Sequence, residues 1–170
     1  MKSIRRIALT AAVVFSAFGA MTYTSCNPDE CKDVVCANGG TCNDTDGSCA
    51  CATGWEGTTC TERTRDKFLG TWSGADVCDT STYTINLTIN NSSNDVQALI
   101  SNPGGFGNNI TITGNVSGTN QLTFTNASVG GGRTLTGTMT LTSTNALKFE
   151  YTVVDLLGGD ESCTGTYAKQ

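Results

Sequence analysis

The sequence predicts an all-β protein: a small disulfide-rich module followed by an eight-stranded antiparallel meander that closes into a barrel, with a β-sandwich as the alternative. Three observations carry that expectation. Apolar and polar residues alternate at period two over much of residues 70–168, and no helical period survives there. Glycine- and asparagine-rich turn clusters separate the alternating stretches. Seven of the nine cysteines in the 170-residue chain lie before residue 61, a density foreign to cytosolic proteins of this size.

Composition also excludes several functions. The chain has no histidine, so it holds no imidazole base, no Ser-His or Cys-His nucleophile pair and no histidine metal ligand. Ten basic residues stand against fifteen acidic ones, and the isoelectric point is about 4.5. Nothing there attracts a phosphate backbone, so no nucleic-acid partner is expected.

In chain order, Lys2, Arg5 and Arg6 precede an apolar run from Ile7 to Met21. The run is shorter than the roughly 20 residues that span a bilayer, and it reads as a secretory signal peptide. It closes on Tyr23-Thr24-Ser25-Cys26, which resembles a bacterial lipoprotein signal of the relaxed kind found in Bacteroidetes, with Tyr23 where an aliphatic residue is usual. The resemblance implies cleavage after residue 25, lipidation of Cys26 and a lipid-anchored place in the bacterial outer membrane; the alternative is plain secretion with Cys26 in a disulfide. Three acyl chains would make attachment effectively permanent. Loss of residues 1–25 removes three of the ten basic residues and no acidic one, leaving seven against fifteen, a net charge of −8. Asp29 and Glu30, in the tether 26–30, resemble lipoprotein surface-export signals or are two solvated charges.

Residues 31–60 hold six cysteines: Cys31, Cys36, Cys42, Cys49, Cys51 and Cys60. The few sizeable apolar side chains among them, chiefly Val34, Val35 and Trp55, cannot form a core, so crosslinks must substitute for one. A zinc site is disfavoured by the lack of C-x2-C pairs. Cys36-Ala37-Asn38-Gly39-Gly40-Thr41-Cys42 and Cys51-Ala52-Thr53-Gly54-Trp55-Glu56-Gly57-Thr58-Thr59-Cys60 resemble an EGF-like domain. That resemblance implies the pairs Cys31–Cys42, Cys36–Cys49 and Cys51–Cys60. It also suggests Asn27, Glu30 and Asp44 as calcium ligands, although the aromatic that usually precedes the fourth cysteine is replaced by Gly47-Ser48. Ordinary acidic loops are the simpler reading, and no cofactor is expected.

Residues 61–67, Thr-Glu-Arg-Thr-Arg-Asp-Lys, form a charged stretch that reads as a solvated linker or a single helical turn. The barrel domain is then residues 68–170, with strands expected near 70–78, 83–89, 95–101, 110–116, 122–124, 135–141, 147–153 and 161–168. Pro103-Gly104-Gly105, Gly130-Gly131-Gly132 and Gly158-Gly159-Asp160 are among the turns between them.

Cys78 in the first of these strands and Cys163 in the last either pair or stay free. In a closed meander those strands are neighbours, so a Cys78–Cys163 bridge would pin the seam. Gly70-Thr71-Trp72 resembles the G-x-W signature of lipocalin-like barrels, though the domain is short and no arginine on the last strand faces Trp72. Eight strands leave an interior filled by side chains or roomy enough for one small ligand. Gly114, Gly137 and Gly165 fall in the inward phase, where they permit strand bending or open a cavity. Asp76, Asn126, Arg133 and Asp155 share that phase. The last three sit near strand ends, where a mouth or solvent position is expected. Asp76, between Trp72 and Cys78 in phase, is with Trp72 a candidate ligand contact.

The expected function is that of a non-catalytic surface or envelope lipoprotein. Its barrel binds a small ligand or a protein partner, and the EGF-like unit is a spacer. The alternative is a structural or adhesive protein with a filled barrel, whose uncharged outer row Thr134, Thr136, Thr138, Thr140 and Thr142 meets a surface. Asp76, Glu150 and Asp155 offer carboxyl groups, but no motif couples them into an enzyme.

Overall fold

The computed structural model describes residues 30–170. The expected signal peptide, Cys26, Asn27 and Asp29 lie outside the described residues. No helix among the described residues is long and apolar enough to cross a membrane.

Residues 31–60 have almost nothing to bury: of these, only Gly54 and Cys60 are buried. Bridges take the place of a core, joining Cys31 to Cys42, Cys36 to Cys49 and Cys51 to Cys60. Strands β1 (Thr41–Cys42) and β2 (Cys49–Ala50) make one short ladder, and β3 (Trp55–Glu56) pairs with β4 (Glu62–Arg63) in another.

The remaining strands are β5 (Gly70–Cys78), β6 (Thr82–Asn91), β7 (Gln97–Ser101), β8 (Thr111–Ser117), β9 (Gln121–Gly130), β10 (Arg133–Ser143), β11 (Ala146–Asp155) and β12 (Glu161–Lys169). Each pairs with its successor in antiparallel register, and β12 returns to β5, closing an eight-stranded barrel and eliminating the sandwich. Closure leaves no exposed sheet edge. Cys163 stands opposite Cys78 in the closing ladder and is bonded to it, so the bridge lies across the seam.

The alternation expected from the sequence sets the inward face. Leu87, Ile89, Ile100, Leu122, Leu135, Met139, Leu147 and Phe149 are fully or almost fully buried inside the barrel. Asn126 leaves the inward phase for the solvent position expected of it, by way of a bulge within β9. The β9–β10 register slips between Leu135 and Gly137, and Asn126 takes a φ of 50° at this bulge. One extra residue reverses the side-chain phase, so Asn126 is exposed and its amide donates to Thr136 Oγ1 at 2.9 Å, while Ala127 and Val129 turn inward. The inward glycines are filled, not empty. A Cβ on Gly137 would collide with the backbone and side chain of Tyr151, and one on Gly165 with the Asp76 carboxylate. Gly114 sits under Ile100 and Leu122. Bulky neighbours need these positions bare.

One barrel end is plugged. Thr64–Lys67 forms a single 3-10 turn that delivers Phe68 into the core, and Trp72 Nε1 donates to the Phe68 carbonyl at 2.7 Å. In place of an arginine, Lys169 on β12 lies over the Trp72 ring at 5.3 Å and donates to the Lys67 carbonyl at 3.2 Å.

The charged stretch 61–67 departs from a solvated linker. Arg65 is only 4% exposed. Its Nη1 donates to the carbonyls of Ser92 (2.7 Å), Asn94 (2.5 Å) and Gln97 (3.1 Å), and its Nη2 reaches Asp95 at 3.3 Å. Arg63 pairs with Asp95 at 2.8 Å, and Lys67 bridges Glu56 at 2.8 Å to the Thr119 carbonyl. Gly54 packs so closely on Val96 that a Cβ would clash. Residues of opposite sign thus dock the disulfide module against the plugged end of the barrel.

Candidate functional site

The other end of the barrel holds a cavity of about 450 Å³. Its walls come from the end of β5, the start of β6, the loop after β7, the start of β10, the end of β11 and the start of β12. Tyr83, Ile85, Phe106 and Val153 supply the apolar surface, and Arg133, Asp155 and Glu161 the charges. The Cys78–Cys163 bridge is part of the wall. Gly104 and Gly105 both take positive φ, at 59° and 76°; this bend, following Asn102 at 57°, brings half-buried Phe106 to the rim. Asn102 Oδ1 accepts from the Gly107 amide at 2.8 Å and holds the loop in shape.

Tyr151 lines the cavity, and behind it lies a polar cluster sealed from solvent. Asp76 is 0% exposed and accepts hydrogen bonds from Tyr151 Oη at 2.6 Å and Tyr167 Oη at 2.5 Å. Gly165, opposite Asp76 in register, provides the space for its carboxylate. Burial pushes the Asp76 carboxyl above its ordinary value, and the two tyrosine hydrogen bonds only partly oppose that. Both tyrosine hydroxyls are pushed up, first by burial and then by the carboxylate beside them. The cluster satisfies a buried charge within the core and fixes the Tyr151 ring.

That geometry sets a pH dependence. A raised folded value means that the native state holds more protons than the unfolded one, so this group's contribution to stability is lost as pH rises above about 4. Asp76→Asn keeps an acceptor and adds a donor but cannot ionise. Urea unfolding should show the variant gaining on wild type as pH rises above about 4. Parallel pH profiles for the two proteins would contradict the shift.

The two ligand contacts expected from the sequence do not line the cavity. Trp72 packs in the plug at the opposite end, and Asp76 is screened by Tyr151. Arg133 and Asp155 do stand at the mouth, paired in register across β10 and β11. Glu150 faces outward and pairs with Lys148 at 2.7 Å. Tyr83, Phe106 and Glu161 were not distinguished by sequence pattern; only the Pro103-Gly104-Gly105 turn hinted at a shaped loop. Glu30 and Asp44 are both exposed. Among the described residues one trio of metal-ligand types converges, Cys78, Glu161 and Cys163, but the disulfide leaves it a single carboxylate.

No protein-family model matches the chain, and no curated protein matches it. Solved structures similar to the chain include designed barrels. One redesigned β-barrel is 18% identical with a TM-score of 0.47, covering 65% of this chain and 97% of its own. A second, solved with bound DFHBI, is 19% identical at 0.46, covering 64% and 100%. A de novo designed fluorescence-activating β-barrel is 17% identical at 0.42, covering 63% and 97%.

Proposed function

We propose that this chain is a non-catalytic binding protein of the bacterial outer envelope, anchored through a lipidated Cys26, in which a lipocalin-like barrel takes one small ligand at its open mouth. The observation that carries this reading is the mouth cavity. Its volume of about 450 Å³ falls within the roughly 300–1,000 Å³ of small-molecule sites, and it combines aromatic walls with a few charged groups. The ligand sits at the mouth and not along the barrel axis, because side chains fill the rest of the interior. The EGF-like module serves as a pedestal: it is docked on the plugged end, leaving the mouth unobstructed.

A second reading has its own support. Leu156 and Leu157, in the loop between β11 and β12, are 81% and 95% exposed, and Val77 is exposed on β5. An apolar rim of this kind suits a protein partner.

Native mass spectrometry of the chain purified from membranes of its own host decides between them. The proposed function requires a small molecule that co-purifies reproducibly in one-to-one ratio. Its reproducible absence, together with a bound protein, favours the partner reading. In the same preparation, Cys26→Ala should move the protein from the membrane to the soluble fraction; continued membrane retention would remove the anchor from the proposal.

A further inference from the structure

The charges around the cavity differ in how they are engaged. Asp155 Oδ1 accepts from the Leu157 amide at 2.9 Å, and Glu161 Oε1 accepts from Thr80 Oγ1 at 2.7 Å. Asp155 is thus tied to its own loop and Glu161 to the loop between β5 and β6. Arg133 is different. Although Asp155 is its register partner, none of the ion pairs among the described residues involves Arg133, and its guanidinium donates no hydrogen bond there. What it does make is a stack on Phe106, with Cζ 4.8 Å from the ring centroid. Stacking orients the flat guanidinium and leaves its N–H fork unspent, the arrangement that suits a planar oxyanion.

The rest of the lining limits what carries that oxyanion. Tyr83, Phe106 and Tyr151 offer ring surfaces, and Ile85 and Val153 add aliphatic area. Arg133 is the one cation in the lining and can pair with a single anionic group, while Asp155 and Glu161, still charged after accepting from neutral donors, disfavour a second one. Arg133 already occupies the Phe106 face, so that ring is not open to a cationic ligand.

We propose that the mouth selects a compact amphiphilic monoanion, an apolar ring body with one carboxylate or sulfonate that Arg133 binds. The inference rests on the ligand-binding reading above and adds the ligand's chemical class. Arg133 is the specificity-determining residue, and Phe106 positions it.

Two fluorescent dyes separate the class from the site. 1-Anilinonaphthalene-8-sulfonate and N-phenyl-1-naphthylamine share one aromatic frame, and only the first carries the anion. Fluorescence titration of the disulfide-bonded mature chain should give saturable one-to-one binding of the sulfonate, about tenfold or more tighter than the uncharged dye. Arg133→Gln should abolish that difference while leaving the uncharged dye unchanged. Arg133→Lys, which keeps the charge but loses the fork, should recover part of it. Equal affinity for both dyes, or a sulfonate affinity untouched in Arg133→Gln, overturns the monoanion inference while leaving small-ligand binding standing. Binding of neither dye overturns both.

Discussion

Replacing Cys78 and Cys163 together by alanine should lower the stability of the barrel by about 3–5 kcal/mol. The bond closes a loop with a sequence separation of 85, the longest of the four bridges and the one whose removal frees the most conformations in the unfolded chain. It also crosses the one strand pairing that is not a local hairpin, β12 with β5. Seven pairings can form from neighbouring segments, but this one must bring the ends of the domain together. The double variant avoids leaving a lone thiol in the cavity wall. Urea unfolding of the oxidised proteins measures the loss, and a difference below about 1 kcal/mol would show that the ladder holds the seam unaided. Ligand affinity at the mouth should fall with it, because the bridge is part of the wall.

Arg65→Met should cost about 2–4 kcal/mol, since hydrogen bonds to a charged group contribute roughly 1.5–3 kcal/mol each and do not add fully. The methionine fills similar space but leaves three carbonyls of the 92–97 loop without their shared donor. Beyond stability, it should loosen the disulfide module from the barrel. Hydrogen exchange would then rise together in residues 92–97 and 61–67 while β10 and β11 stay protected. Uniform exchange across the barrel would mean that Arg65 serves the whole core and not the docking contact. Arg65→Lys should recover little, because an ammonium cannot present the guanidinium's spread of donors.

These two sites, the seam bridge and Arg65, mark where sequence reasoning succeeds and where it stops. The Cys78–Cys163 proximity was inferable because a closed meander makes its first and last strands neighbours, whatever their side chains are. Arg65 stood in a stretch whose mixed charges looked solvated. Its burial depends on a loop almost thirty residues away that turns three carbonyls toward one point, and no local pattern encodes that meeting. Asn126 shows a subtler limit: its solvent position was expected from a nearby strand end, but a bulge within β9 is what produces it, and that bulge also turns Ala127 and Val129 inward. Trp72 and Asp76 were recognised as inward residues, and both are buried. That inward phase could not tell the plug from the mouth or distinguish a core hydrogen-bond cluster from a ligand contact.

Periodicity, turn residues and cysteine count are local properties, and they were enough for the barrel's strand number, strand order and most of its inward face, because a pleated strand allows only two faces and a short turn allows only an adjacent partner. The cavity is a different kind of property. It exists because the loop bearing Phe106 bends through left-handed residues, because Tyr151 is held back by Asp76, and because Arg133 finds a ring and no carboxylate. Each of those facts joins residues far apart in the chain, so only the closed barrel could decide where the empty space lies and which charge faces it.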